Sequence, residues 1–500
     1  MVRRPFSSVE SSVIEENAVA LGATVDGLME NAGRAVAEEA SKHLPHAPAP
    51  VAIVAGAGNN GGDGTAAAYY LSQWGYAPEV WLIQPATEIR SRPARRCFER
   101  IERRAPVHTG VPKPEELHRF PLIIDALLGT GQAGALRPRY AAAVAAIRAS
   151  GVPILSVDEP TGLGNPDSLH PQWTVALTAL KEGMTPAACG EIILRDIGIP
   201  AEAWLRTGPG EFVLYRPVAL RRGRGRSGRI LVIGGGPYSG APALAGLAAL
   251  RTGAERVTIL APKPAADRIQ GFSPNLVVRG IGTGAFSPPD VADLLSFVKS
   301  APPKAVALGM GAGRSTETLA TVERLLRELP PAIPLVVDAD ALEVVPRGSW
   351  TGRTLIATPN AGEYARVFGG DGARPLSEQI GEAQRIARER GILLVIKGEP
   401  DIVTDGEVAV QNYHHHIAQT VSGVGDVLAG TLGSLLAQGL APIHAARLGA
   451  FWVGDAGIRA AARRSFGLVA TDLVEELPSS LVSGMERIVR GSDGGIPAQA

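Results

Sequence analysis

VAIVAGAGNNGGDG, residues 51–64, is the stretch on which the fold turns. Val51–Ala55 is an unbroken apolar run, the pattern of a strand covered on both faces. GAGNNGGDG, from Gly56 to Gly64, leads from it into an Ala-rich helix predicted to begin near Asp63. Glycines let backbone N–H groups approach a bound anion, and a helix N-terminus adds partial positive charge, so this turn is a candidate phosphate cradle. A purely structural helix start needs the same glycines. Asn59, Asn60 and Asp63 favour a ligand site, because side-chain oxygens in such a loop can hold a hard cation or ligand hydroxyls.

Outward from this stretch the same alternation continues. Strands are predicted at Glu79–Ile83, Leu122–Asp125 and Ile154–Asp158, with helices at 92–104 and 139–150. An opening helix carries Leu28, Met29 and Val36 on one face and Glu38 and Glu39 on another. This is the pattern of a parallel sheet flanked by helices. LIIDALLGTG places Asp125 before Gly129 and Gly131, and LSVDEPTGLG places Asp158 before Thr161 and Gly162. Ligands of doubly wound sheets sit at the carboxyl ends of the strands, so three such ends can share one crevice. Taken singly, each Asp reads equally as a helix cap or turn former.

Composition narrows the class. A chain of 500 residues is long enough for two or three domains. Its 49 Lys+Arg balance 49 Asp+Glu, which gives no long-range field for nucleic acid or an acidic membrane surface. The longest apolar runs, such as Ala243–Leu250, stop far short of the ~20 residues of a membrane span. Two cysteines, Cys97 and Cys189, provide neither a disulfide framework nor a zinc quartet, and MVRRPFSSVE lacks a signal-peptide core. A cytoplasmic protein is expected. Glycine, 60 of 500 residues against a usual ~7%, is concentrated in loops beside apolar strands.

The periodicity breaks in RPVALRRGRGRSGR, residues 216–229, where Arg and Gly leave no apolar face. The expected organisation is a domain over 1–215, a linker over 216–228, a second domain over 229–478 and a flexible tail over 479–500. In the second domain strands are predicted at Arg229–Ile233, Arg256–Leu260, Ala305–Leu308, Leu335–Asp338, Leu355–Ala357 and Leu393–Ile396, with helices at 241–252, 426–438 and 443–464. GGGPYSGA, from Gly234 to Ala241, is another glycine loop, which close helix packing explains equally well. TVSGVGDVLAG, residues 420–430, is more specific. Gly423 and Gly425 immediately before Asp426 can form an anion hole for a transferring phosphate, and Asp426 can take a proton from a hydroxyl. Further strand ends agree: Gly309, Gly311 and Gly313; Asp338 and Asp340; Asn360 and Glu363; Lys397 and Gly398.

GAGNNGGDG, IIDALLGTG and VDEPTG, in this order and spacing, resemble the epimerase domain of the NAD(P)H-hydrate repair enzymes over about residues 10–215. The resemblance implies a Rossmann-like three-layer domain with a potassium ion held by Asn60, Asp125 and Thr161. It implies hydrated nicotinamide nucleotide bound by Asn59, Asn60, Gly61, Gly62 and Asp63, by the loop Gly129, Thr130, Gly131, Gln132, Ala133, Gly134 and Ala135, and by Asp158. Thr161 stands for the usual Ser and keeps its hydroxyl; Glu159 stands where Ile is common. Asp158 is read as the group that moves a proton at the hydrate carbon.

The Gly-x-Gly-Asp helix start resembles the ribokinase-like kinases, whose corresponding Asp is the base. The second half as a whole, about residues 220–478, resembles the ADP-dependent NAD(P)H-hydrate dehydratase domain. By that resemblance Lys397, Gly398, Glu399, Pro400, Asp401, Gly423 and Gly425 hold the nucleotide. Ala241, Gly311, Asn360 and Asp426 face the hydrate, with Asp426 the base. Asn360 replaces a His common in bacterial relatives, and Tyr413–His416 replaces a Gly/Asn-Pro stretch. Three consecutive histidines cannot share one strand face and are a poor metal triad, so a solvent loop is expected. The arginines of 90–104 lack interleaved aromatics and read as a solvated helix face. Arg221, Arg222, Arg224, Arg226 and Arg229 have a second reading, beside ligand phosphates.

The implied enzyme is a bifunctional epimerase and ADP-dependent dehydratase acting on NADHX and NADPHX, with K⁺ in the first domain and Mg²⁺ on the nucleotide. ADP is converted to AMP and phosphate. No nucleic acid or membrane partner is expected, and a homo-oligomer is. Two rivals stay open: a ribokinase-like kinase of a small molecule such as a vitamin precursor, with an N-terminal nucleotide-binding module, and a non-catalytic binding protein.

Overall fold

Strand β1 (Pro50–Ala55) has five consecutive buried residues, so both its faces must be covered and its neighbours must be parallel. The computed structural model describes residues 4–130, 134–215, 218 and 228–491. It divides into two compact units: one runs to Ala203 and takes in residues 488–491, the other runs Trp204–Arg487.

In the first unit β1 is joined by β2 (Ala77–Leu82), β3 (Val107–Thr109), β4 (Ile123–Ala126), β5 (Ile154–Val157), β6 (Trp173–Leu177) and β7 (Glu191–Arg195). The seven-stranded sheet has the order β3-β2-β1-β4-β5-β6-β7, and every pairing is parallel. The order reverses between β1 and β4, which opens a crevice at their carboxyl ends. One face is filled by Ile123, Ile147, Ile154, Trp81 and Phe120. The predicted strands occur with shifts of one or two residues; β3, β6, β7 and an opening helix Ser8–Ala20 lacked a readable period. That helix is set by a capping box in which Ser7 and Glu10 satisfy each other's orphan groups. Glu39, assigned to the polar face of its helix, is buried because Lys42, His43 and Arg195 all pair with its carboxylate.

The helix after β1 begins at Asn59, not near Asp63. Its glycines sit where a methyl group has no room: a Cβ on Gly61 would overlap the Gly56 carbonyl, and one on Gly64 the Ala126 side chain. Close packing of the helix start against β1 and β4 outweighs glycine's poor helix propensity.

The second unit holds β8 (Arg229–Ile233), β9 (Arg256–Pro262), β10 (Val277–Ile281), β11 (Ala305–Leu308), β12 (Leu335–Val337), β13 (Leu355–Ala357), β14 (Leu393–Ile396), β15 (Asp401–Thr404) and β16 (Ala409–Asn412). Its nine strands follow the order β10-β9-β8-β11-β12-β13-β14-β15-β16, parallel up to β14 and antiparallel through the last two pairings. Here the reversal falls between β8 and β11, beside the glycine loops at 234–236 and 309–313.

The boundary precedes the Arg/Gly-rich stretch. Trp204–Tyr215 belongs to the second unit, where Phe212 packs edge-on to Phe451 and Trp452, and Tyr215 on Trp452. The linker expected at 216–228 and its five arginines lie outside the described residues, apart from positions 218 and 228; Arg229 is the exposed first residue of β8. The tail expected from 479 instead continues a helix, Ala470–Gly491. Ser480 is buried there and donates to Asp455 at 2.6 Å, so burial carries the helix past Pro478. No helix among the described residues is long and apolar enough to cross a membrane.

Candidate active sites

In the first unit, Asp125 closes β4 and is fully buried. Its Oδ1 accepts from the Thr161 hydroxyl (2.7 Å) and the Leu127 N–H (3.2 Å), and its Oδ2 from the Ser156 hydroxyl (2.9 Å) and the Thr161 N–H (3.0 Å). Burial raises its pKa against the pull of these donors. Asn60, only 9% exposed, has both amide atoms buried without a partner, an arrangement that costs about 1–3 kcal/mol unless a ligand supplies the bonds. A Cβ on Gly129 would lie 3.1 Å from Asn60 Oδ1 and 3.2 Å from Asp158 Oδ2, so the absent side chain leaves those two groups facing one space.

Asp158 follows β5 with φ 67°, a left-handed conformation that is uncommon for a residue with a side chain. Lys181, missed by the sequence reading, forms an ion pair with Asp158 Oδ1. Around this pair stand three more carboxyls. Crowding by protein and then the Asp158 charge push Glu15 up to about 7, although Glu15 also reaches solvent. Burial and then Asp158 likewise push Glu159 up to about 7, and Asp63 is raised well above the ordinary carboxylate range for the same two causes. Asn59 is exposed at the helix start, where the N-cap residue Gly58 brings no side chain to the first-turn N–H groups. Thr130 N–H lies 3.5 Å from Asp158 Oδ2; Gly134 and Ala135 are exposed, and residues 131–133 lie outside the described residues.

The second unit gathers its charges on the carboxyl ends of β12 and β14. Lys397 Nζ donates to Asp338 Oδ1 at 2.9 Å and lies 3.9 Å from Glu363. The Thr358 hydroxyl donates to the same Asp338 oxygen at 2.7 Å. Burial would lower the Lys397 pKa, but Asp338, Glu363 and Asp426 outweigh it and the net shift is upward. Asp426 lies in the first turn of the helix Val424–Ala437, whose N-cap Gly423 takes φ 98° without a side-chain cap. Burial, and then repulsion from Asp338, push Asp426 up to about 7. A Cβ on Gly425 would lie 3.0 Å from Lys397 Nζ, so Gly425 leaves the lysine room beside the helix start.

The remaining predicted residues divide. Gly311, with φ 67°, backs onto Ala241, whose Cβ would lie 3.3 Å from one built on Gly311; the two glycine loops therefore meet at the crevice. Asn360 is the N-cap of the helix Ala361–Phe368, its Oδ1 accepting from Glu363 N–H at 2.9 Å in a reciprocal capping box. The segment after Lys397 forms its own turn. Gly398 N–H donates to Asp401 Oδ1 at 2.9 Å, Asn412 donates to Asp401 Oδ2 at 2.8 Å, and Gly398 and Glu399 are exposed beside Pro400. The three histidines have separate tasks: His414 stacks on Phe451 and bonds Asp455 at 3.0 Å, His415 lies 4.0 Å from Glu399, and His416 caps Ile417–Gln419. The solvent-loop expectation fails at His414, which is half-buried by that stacking. Among the described residues no group of three or more His, Cys, Asp or Glu side chains is placed to hold a metal ion.

Two doubly wound sheets, each with a carboxylate and a lysine at its carboxyl edge and glycine loops at its switch point, define a two-site nucleotide-binding α/β enzyme. Residues 25–183 match the family model described as the YjeF-related protein N-terminus, and residues 230–479 the one described as NAD(P)H-hydrate dehydratase. The chain is 36% identical to the bifunctional NAD(P)H-hydrate repair enzyme of Hyperthermus butylicus, over 98% of this chain and 96% of that protein. It is 36% identical to the enzyme of the same name from Archaeoglobus fulgidus, over 95% and 98% of the two chains. It is also similar to the ADP/ATP-dependent NAD(P)H-hydrate dehydratase of Bacillus subtilis, at 22% identity and TM-score 0.46, over 55% of this chain and 97% of that one. The chain belongs to the bifunctional NAD(P)H-hydrate repair enzymes. Both units are α/β folds on largely parallel, doubly wound sheets, the first in the Rossmann-like order β3-β2-β1-β4-β5-β6-β7, as the sequence leads one to expect.

Proposed function

We propose that the first unit interconverts the R and S forms of NADHX and NADPHX, and that the second removes water from the S form at the expense of ADP. One observation carries this reading: at the carboxyl edge of each sheet a carboxylate stands with a lysine among further carboxyls, Asp158 on Lys181 and Asp426 beside Lys397 and Asp338. Such groups move protons.

In the first unit Asn59–Asp63 and the 129–135 loop hold the hydrated nucleotide, and Asp158 moves a proton at the hydrate carbon. The orphaned Asn60 amide, with the oxygens of Asp125 and Thr161 bonded to each other at 2.7 Å in the same unit, is an oxygen-donor set of the kind a monovalent cation favours. Bound there, K⁺ would supply positive charge next to the crevice.

In the second unit Lys397–Asp401, Gly423 and Gly425 hold ADP, while Ala241, Gly311 and Asn360 face the hydrate. Asp426 takes the proton from the ring hydroxyl as its oxygen attacks the β-phosphorus, and AMP leaves. The N–H groups from Gly423 onward receive the transferring phosphoryl oxygens. The phosphate group then departs with the C–O bonding pair as inorganic phosphate, and the adjacent ring carbon loses a proton to solvent, so that the ring double bond reforms. Mg²⁺ on the nucleotide would neutralise phosphate charge. The free, buried thiols Cys97 and Cys189 fit a reducing, cytoplasmic setting. Assembly into homo-oligomers completes the proposal.

Product analysis tests the second activity: one AMP and one phosphate should form per NAD(P)H recovered. A kinase would release a stable phosphorylated alcohol, with neither free phosphate nor NAD(P)H. A pH profile tests the base. Asp426 acts when ionised, so dehydration kcat/KM should rise with pH and level off above about 7, being roughly tenfold lower one unit below that point. A flat profile between pH 5.5 and 8 would exclude Asp426 as the base.

A further inference from the structure

We infer that Lys181 is a positioning residue of the epimerase site, holding the Asp158 carboxylate in place for proton transfer. Lys181 is 3% exposed, and its ammonium donates to Leu177 O (2.5 Å) as well as to Asp158 Oδ1. A buried ammonium persists only where partners replace its water, so this lysine is held to the spot by what it holds. The backbone on either side is pinned as well: Phe6 N–H donates to Leu180 O at 2.8 Å, and Glu182 N–H donates to Phe6 O at 2.9 Å. The opening strand-like contact at Phe6 thus fixes the lysine, and the lysine fixes the aspartate.

Asp158 needs that support. Its backbone is in the left-handed region, and its N–H donates to Val175 O at 2.9 Å, which anchors the main chain but not the carboxylate. With Oδ1 tied to Lys181, Oδ2 is left toward Gly129 and the unpartnered Asn60 amide, the side from which a substrate proton comes. Lys181 also holds down the carboxyl pKa of Glu15, Asp63 and Glu159 alike. Without it the four carboxyls repel one another and Asp158 loses its fixed geometry; catalysis is sensitive to displacements of about 1 Å.

This inference rests on the epimerase reading, and the test separates the two. R-to-S interconversion is measured on the full chain for the wild type, Lys181→Met and Lys181→Arg, with dehydration of pure S hydrate as the control for the other unit. A wild type that does not interconvert the hydrates sinks the epimerase reading itself. Given wild-type activity, Lys181→Met should lower kcat at least ~100-fold, and Lys181→Arg, which keeps the charge with a different reach, about tenfold. KM should stay within about threefold in both, and dehydration should be unchanged. Wild-type kcat in Lys181→Arg overturns the inference, as does a raised KM at unchanged kcat, which would make Lys181 a substrate-binding group. If Lys181→Met does not fold, Lys181→Arg alone decides by the same two criteria.

Discussion

Asp426→Asn should lower dehydration of the S hydrate by about 10²–10⁴-fold, the range that general-base catalysis supplies, and leave R-to-S epimerisation unchanged. The substitution is nearly isosteric and removes a charge that its surroundings disfavour: burial and the Asp338 carboxylate already push this carboxyl up to about 7. Lys397 keeps its 2.9 Å bond to Asp338 and its place beside Gly425, so these contacts and the helix start are preserved. What is lost is the only function an amide cannot perform, which is to accept the hydroxyl proton. A wild-type rate in this variant, measured as NADH formed from pure S hydrate with ADP, would remove Asp426 from the mechanism.

Asp125→Ala should have the largest effect on stability, about 3–5 kcal/mol against the first unit. Four donors converge on this carboxylate from Leu127, Ser156 and, twice, Thr161. Alanine strands all of them in a fully buried place at the carboxyl ends of β4 and β5. Hydrogen exchange resolved by peptide is the appropriate measurement. Protection should fall sharply across 123–126 and 154–161 and remain in peptides of the second unit. Unchanged protection of those strands would mean that the donors find other partners and that Asp125 is held for its chemistry alone.

Asp125, Asp158, Asp338 and Asp426 were legible because each lies beside a short apolar run and small residues; Glu15, in a helix without a motif, was not. Asp125 does so at the end of β4, Asp158 after β5, Asp338 after β12, and Asp426 in its glycine-rich helix start. Runs such as Ala305–Leu308 and Leu393–Ile396 are buried along their whole length, so hydrophobicity alone marks their ends. The lysine of the first site was not legible. Lys181 sits in a segment without period or motif, and it reaches Asp158 through pairing with Phe6, a contact across most of the unit's sequence. The helix start at Asn59 was misplaced because glycine propensity argues against it, whereas the tight approach to Gly56 and Ala126 demands glycine there. Asn360 illustrates the opposite error: read only for what it faces, it is also the cap on which the helix Ala361–Phe368 depends.

The central claim is that one chain carries two separable activities that act in sequence. Absorbance at the dihydronicotinamide band, followed after adding the protein to mixed R and S NADH hydrates with ADP, Mg²⁺ and K⁺, tests it most directly. The wild type should recover all of the NADH. Asp158→Ala should stop at the fraction that began as S hydrate, and Asp426→Ala should recover none. Full recovery by Asp158→Ala, or no recovery by the wild type with either ADP or ATP, would contradict the account.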